Sequence, residues 1–184
     1  MKSLREQFEE EYMPVWEERA DAGRGRVRYV YCAPWYIWDL PEQEWKRKKQ
    51  QLAVLSIGSL FLLIFAGTRN TYANAMVLVQ IAGTCAVGFH VPELFRVIQL
   101  LSVKERTSRM NYYHIDHVMK TIPLVRGILL LTAGVAGGWA TGTREIQDCL
   151  VTLCYLLCGI MALCVFKEYR EIPFRTEKNT NGCG

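Results

Sequence analysis

The sequence predicts an all-α, polytopic membrane protein: a four-helix transmembrane bundle with cytoplasmic N- and C-terminal segments. Three observations carry that expectation. Four long intervals are nearly free of Asp, Glu, Lys and Arg. Each interval is apolar on every face rather than along one stripe. The basic residues outside the intervals fall mostly on one side of them. Bulk composition hides this pattern, because 184 residues with 51% hydrophobic, 22% charged and a net charge of +4 would also suit a soluble domain. Collagen, a disordered chain and a small disulfide scaffold are excluded by the same figures.

The first span is expected at about 51–68, reading LAVLSIGSLFLLIFAG from Leu52 to Gly67. The second is expected at about 71–91, the third at about 122–142 and the fourth at about 149–166. A helix needs about 17–25 mostly apolar residues, at 1.5 Å each, to cross about 30 Å of hydrocarbon. None of the four alternates apolar and polar residues, which disfavours strands. Soluble helices keep a polar face, and these do not. The second interval is diluted by Gln80 and His90. Pro92 is expected to end or kink it, with His90 closing the span at the inner surface. Pro123 falls in the first turn expected for the third span, with Thr121 as its N-cap.

Three segments follow: a cytoplasmic N-terminal segment 1–50, a transmembrane domain 51–167 containing a cytoplasmic loop 93–121, and a cytoplasmic tail 168–184. With both termini inside, nineteen Lys and Arg lie inside and two outside. Arg126 is left over and is expected to snorkel to the headgroups from the inner end of its span. No signal peptide is visible at the start, so the first span is read as an uncleaved anchor. A bacterial plasma membrane suits the compact, charge-defined topology.

The N-terminal segment carries Leu4, Phe8, Tyr12 and Trp16 at helical spacing, with Pro14 as an interruption. Asp21–Gly25 reads as a turn, and Arg26–Cys32 as a short extended piece. Trp35, Tyr36, Trp38 and Trp45 then lead into Lys46, Arg47, Lys48 and Lys49. Aromatic rings and cations beside a span read as a membrane-interface anchor, the rings in the headgroup zone and the cations on anionic lipid. The basic run is short and lies against the bilayer, so nucleic acid is not an expected partner. Beyond Pro92, residues 93–109 read either as an interfacial amphipathic helix or as the second span continuing into a helical hairpin with residues 110–121.

Chemistry-bearing residues are few. His90, Glu93, His114, Asp116 and His117 are candidates for a zinc or iron site at the inner face, or for haem ligation by two of the histidines. The HxxH spacing equally suits ordinary interfacial residues, and no cofactor is expected on balance. No Asp or Glu lies inside an expected span, whereas proton-coupled carriers usually need one. Gly134, Gly138 and Gly142 form a doubled GxxxG that favours close helix packing, against Cys154 and Cys158 of the fourth span or across a homodimer. Cys154 and Cys158 share a helix face as small packing residues, and no CxxC pair supports redox catalysis. Cys32 and Cys183 are expected to be reduced.

The activity expected first is non-enzymatic: an accessory, scaffold or assembly subunit with a cytoplasmic working surface. Its partners would be the bilayer and either a second copy or another membrane protein. A metal- or haem-binding membrane enzyme or electron carrier is the second reading. The third is an oligomeric small-solute transporter or channel, with Gln80, Thr84 and Thr132 lining a path.

Overall fold

The computed structural model describes residues 4–17, 26–104, 106–141 and 145–179. The chain divides into two units: 1–39, 105–114 and 174–184 form the first, and 40–104 with 115–173 form the second. The described chain is mostly helical, yet the first unit is built on strands, so the all-α expectation holds for the second unit alone.

In the first unit a short helix α1 (Leu4–Glu11) runs into β1 (Tyr12–Glu17), which pairs antiparallel with β2 (Arg26–Tyr31). The helical stripe expected through Trp16 therefore breaks after Glu11. Proline cannot donate within a helix but is tolerated in an edge strand, and Pro14 sits opposite Tyr29 in this two-stranded ladder. A three-stranded sheet of β3 (Trp35–Trp38), β4 (Arg106–Thr107) and β5 (Phe174–Glu177) has β3 at its centre. Its aromatic core consists of Tyr36 stacked on Tyr112, with Trp38 and Phe174 against the same ring. Tyr36 and Trp38 are buried in this core, while the half-buried Trp35 packs on Tyr31 from the other face of β3. Cys32 is disulfide-bonded, its partner sulfur lying outside the described residues, which overturns the expectation of a reduced thiol. Asp21–Gly25, Gly142 and Cys183 also lie outside the described residues.

The second unit holds four helices long and apolar enough to cross a membrane. They are α2 (Glu42–Gly67), α4 (Val77–Ser102), α5 (Arg109–Thr141, whose first residues belong to the first unit) and α6 (Ile146–Arg170). A one-turn helix α3 (Tyr72–Ala75) joins α2 to α4. Each long helix presents bulky apolar side chains outward, such as Phe61, Ile81, Val135 and Leu153. An apolar surface that continuous is far beyond what soluble monomers expose, and it is what helices long and apolar enough to cross a membrane would present. Trp139, 90% exposed, lies near the end of α5, where an indole suits a headgroup layer.

Two prolines depart from expectation. Pro92 lies inside α4, which continues ten residues beyond it, and Pro123 lies inside α5 rather than in a first turn. His90 and Glu93, on the inward face on either side of Pro92, are buried, and tertiary packing holds the helix through the hydrogen bond that proline removes. The helix that holds the second interval thus continues past Pro92 to Ser102.

The basic run, in the second turn of α2, is largely used within the bundle. Trp45, 5% exposed, donates its indole N–H to the Lys104 carbonyl at 3.0 Å. Lys49 caps the C-terminus of α4 through the carbonyls of Leu101 and Val103, at 3.3 and 2.9 Å. Lys48 pairs with Glu168 and, at 3.8 Å, with Glu171 at the end of α6. Lys46 and Arg47 remain exposed.

The glycine seam packs α5 on α6. A Cβ at Gly134 would meet Leu156, and one at Gly138 would meet Thr152. The expected partner helix is right, but the ridge is Thr152–Leu156–Gly159–Leu163. Cys158 turns the other way and donates its thiol to the Ser59 carbonyl of α2 at 3.3 Å.

Two predictions follow from this packing. A Cβ at Gly159 would lie 2.8 Å from the Leu131 side chain and 3.0 Å from its backbone nitrogen, while one at Gly88 meets nothing within 4 Å. Gly159→Ala should lower the melting temperature in detergent, and Gly88→Ala should leave it unchanged or raise it. In the first unit, Glu11 accepts from the Met110 N–H at the start of α5, and burial raises its pKa above the usual 4.5. The neutral form is the one folding favours, so its contribution is full below pH 4.5 and is lost as pH rises through the raised value. Glu11→Gln should make amide protection at Met110, corrected for intrinsic exchange, insensitive to pH across that window and higher than wild type above it.

Candidate polar site at the bundle centre

The four long helices bury residues three and four apart. On α2 the stripe runs Leu52, Ser56, Ser59, Leu63 and Ala66. On α4 it runs Val79, Gly83, Ala86, His90, Glu93, Val97 and Leu100. On α6 it includes Val151, Tyr155, Cys158, Ala162 and Val165. On α5 Ile115, Met119, Arg126, Leu130 and Ala133 are buried, so Arg126 occupies an inward position in place of an apolar residue. This alternation of three and four is the seam of a left-handed helix bundle.

The polar members of the four stripes sit at one level. Ser56 and Ser59 are the fifteenth and eighteenth of the 26 residues of α2. His90 and Glu93 are the fourteenth and seventeenth of the 26 of α4. Arg126 is the eighteenth of the 33 of α5, and Cys158 the thirteenth of the 25 of α6. The level is the middle of the bundle. Arg126 therefore does not snorkel and His90 does not close a span: both are in the core, 0% and 1% exposed. Glu93, 0% exposed, lies inside α4, a helix long and apolar enough to cross a membrane, where the sequence reading had it just beyond the end of a span.

The hydrogen bonds form one network. Arg126 Nη2 donates to Glu93 Oε1 at 2.8 Å. Arg126 Nη1 donates to Ser59 Oγ at 3.0 Å and also contacts His90 Nδ1. Ser56 Oγ donates to the same Glu93 oxygen at 3.2 Å, and Ser59 Oγ donates to the Ser56 carbonyl at 2.9 Å. Since the guanidinium can only donate, His90 Nδ1 accepts, and the ring proton is assigned to Nε2. Three atoms of the network have no partner among the described residues: Glu93 Oε2, Arg126 Nε and His90 Nε2. An Arg–carboxylate pair can form a two-pronged fork; here one prong is made, and an unused donor and an unused acceptor flank it. Each buried unsatisfied group costs about 1–3 kcal/mol, more where water is absent.

Toward the α2–α4 connection a pocket of about 440 Å³ is lined by Asn74, Gln80, Gly83, Thr84, Val87 and Tyr155, among others. Tyr155 donates its hydroxyl to Asn74 Oδ1 at 2.9 Å. A Cβ at Gly83 would stand 3.6 Å from that hydroxyl, in ordinary van der Waals contact. Val87 precedes His90 by three residues, so the pocket ends about one helical turn from the network.

Of the sequence candidates, Gln80 and Thr84 line this pocket, while Thr132 lines a separate apolar groove on α5 and donates to the Ile128 carbonyl. His90 and Glu93 come together with Arg126. His114 and His117 are exposed on α5, and Asp116 pairs with Lys120 at 2.8 Å and accepts from Tyr169 at 3.5 Å. Among the described residues no three His, Cys, Asp or Glu side chains stand close enough to hold a metal ion. Ser56, Ser59 and the central place of Arg126 were missed. The signal available was the three-four stripe, which continues through Glu93 on one side and reaches Arg126 on the other.

No protein-family model matches the chain, and neither a curated protein nor a solved structure matches it.

Removing one partner of the central pair leaves a buried charge alone, at a cost of about 3–5 kcal/mol, whereas removing both together is far milder. Glu93→Leu and Arg126→Leu should each lower detergent thermal stability sharply. The double variant should be more stable than either, and a double-mutant cycle read by thermal unfolding measures the coupling.

Proposed function

We propose that this chain is a multi-pass integral membrane protein that moves a small polar or charged solute across the bilayer, singly or as an oligomer. The observation that carries the reading is the Arg126–Glu93–His90 network at the middle of four apolar helices. Ionisable groups at that depth are expensive, and they characteristically mark solute pathways. Carrier sites lie near the midplane, between helices. The pocket of Gln80, Thr84, Asn74 and Tyr155 supplies a polar approach on one side. The charge bias of the sequence supports placing both termini in the cytoplasm. The Cys32 disulfide opposes that placement, because such bonds persist in oxidising compartments.

The accessory-subunit reading stands second. The enclosure of the network favours it, since a fully buried ion pair also fixes which helices meet. So does the hairpin of the first unit, which exposes Trp16, Val27 and Tyr29 on one face.

Aqueous access separates the two readings. Gln80→Cys and Thr84→Cys should react with a membrane-impermeant thiol reagent well above the background of the native cysteines. Ile81→Cys, on the lipid-facing side, should not. Equal reactivity at Thr84 and Ile81, together with vesicles no leakier to small solutes than protein-free ones, would remove the transport reading.

A further inference from the structure

We propose that the solute of this site is the proton, bound at Glu93 Oε2; this rests on the transport reading above. The central side chains are enclosed, and the unmet valences are single atoms: one carboxylate oxygen, one guanidinium N–H and one imidazole N–H. Two donors and one acceptor suit a water molecule, which typically makes about three bonds to otherwise unsatisfied buried groups. They do not form a cradle for a larger solute. A carboxylate, an imidazole and water are also the groups from which intramembrane proton relays are built.

The arrangement couples proton uptake to helix contact. Glu93 is faced by Ser56 and Ser59 of α2, His90 of its own helix and Arg126 of α5, with the Cys158 thiol of α6 behind Ser59. A proton arriving from water forms an O–H bond at Oε2 and removes the carboxylate charge. The Arg126–Glu93 attraction then weakens, and α5 is released from α4. Loss of the proton to water on the other side breaks the O–H bond and restores the pair. Neither state needs another reactant. Arg126 and His90 act as positioning residues: one competes with the proton for Glu93, and the other holds the guanidinium from the opposite side. Ser56 donates to Oε1 and so favours the ionised carboxylate.

The test uses the full-length protein in liposomes carrying an internal pH-sensitive dye, with a potassium diffusion potential as the driving force. Wild type should carry protons several-fold faster than protein-free vesicles. Glu93→Gln keeps the size and the acceptor but cannot take the proton, and should fall to the protein-free rate. Ser56→Ala should retain flux with its pH midpoint moved upward, because the carboxylate has lost a donor. A purely structural network would not move that midpoint. Should Glu93→Gln fail to fold, Ser56→Ala and Glu93→Asp carry the test, the latter with reduced flux. Wild-type flux at the protein-free rate overturns the proposal, as does flux indifferent to Glu93→Gln or an unmoved Ser56→Ala midpoint. Passage of another small solute without protons would overturn the proton assignment and leave the transport reading standing, whereas a vesicle tight to all of them would sink both.

Discussion

The second unit depends on the pairing of one arginine with one glutamate where neither has access to water. Arg126 and Glu93 are both 0% exposed, and each would be intolerable alone at that position. Their pairing ties α5 to α4, and the Ser59 hydroxyl ties the same guanidinium to α2. Around this layer the packing is made of small residues and aliphatics: Ala66, Ala82, Ala86, Leu130, Ala133 and Val151 in one cluster. Such a core provides close approach but little directional information. The polar layer supplies the direction, because only one rotational setting of each helix brings its donors and acceptors together.

That layer is incompletely satisfied, and its incompleteness is informative. Structural polar networks are stabilising when every valence is met and costly when they are not. This one leaves an acceptor and two donors over in a place where each is expensive. A two-pronged arginine fork would have met the second carboxylate oxygen and one more guanidinium N–H. Those unmet valences are where the proposed transport reading places its solute.

The first unit follows a different logic. Aromatic residues that, beside a lysine-rich run, resemble a headgroup anchor instead form a small core of stacked rings around Tyr36 and Tyr112. The ambiguity has a physical origin. Tyrosine and tryptophan suit an interface and a compact aromatic core for the same reason: a large apolar body with one polar handle. Sequence position next to a span cannot separate these roles. The cross-strand partners in β4 and β5 come from about 70 and 140 residues further along the chain, so no local pattern announces the sheet. The packing of the lysines was equally hidden, since the acceptors of Lys48 and Lys49, Glu168 and the Leu101 and Val103 carbonyls, are distant in sequence.

What the sequence determined by itself was the number of helices long and apolar enough to cross a membrane. Apolar intervals of spanning length require lipid or deep burial whatever the fold, because each residue carries its own transfer cost. It also determined the glycine seam, since backbone approach is limited by the side chain at that position alone. Tertiary structure decided where the ionisable residues sit. His90, Glu93 and Arg126 each looked like the edge of a span, because a proline or a charge ordinarily ends one. α4 and α5 run on through Pro92 and Pro123, and those edges became the middle. The reason is that the cost of burying a charge is set by its partners, and the partners come from other helices.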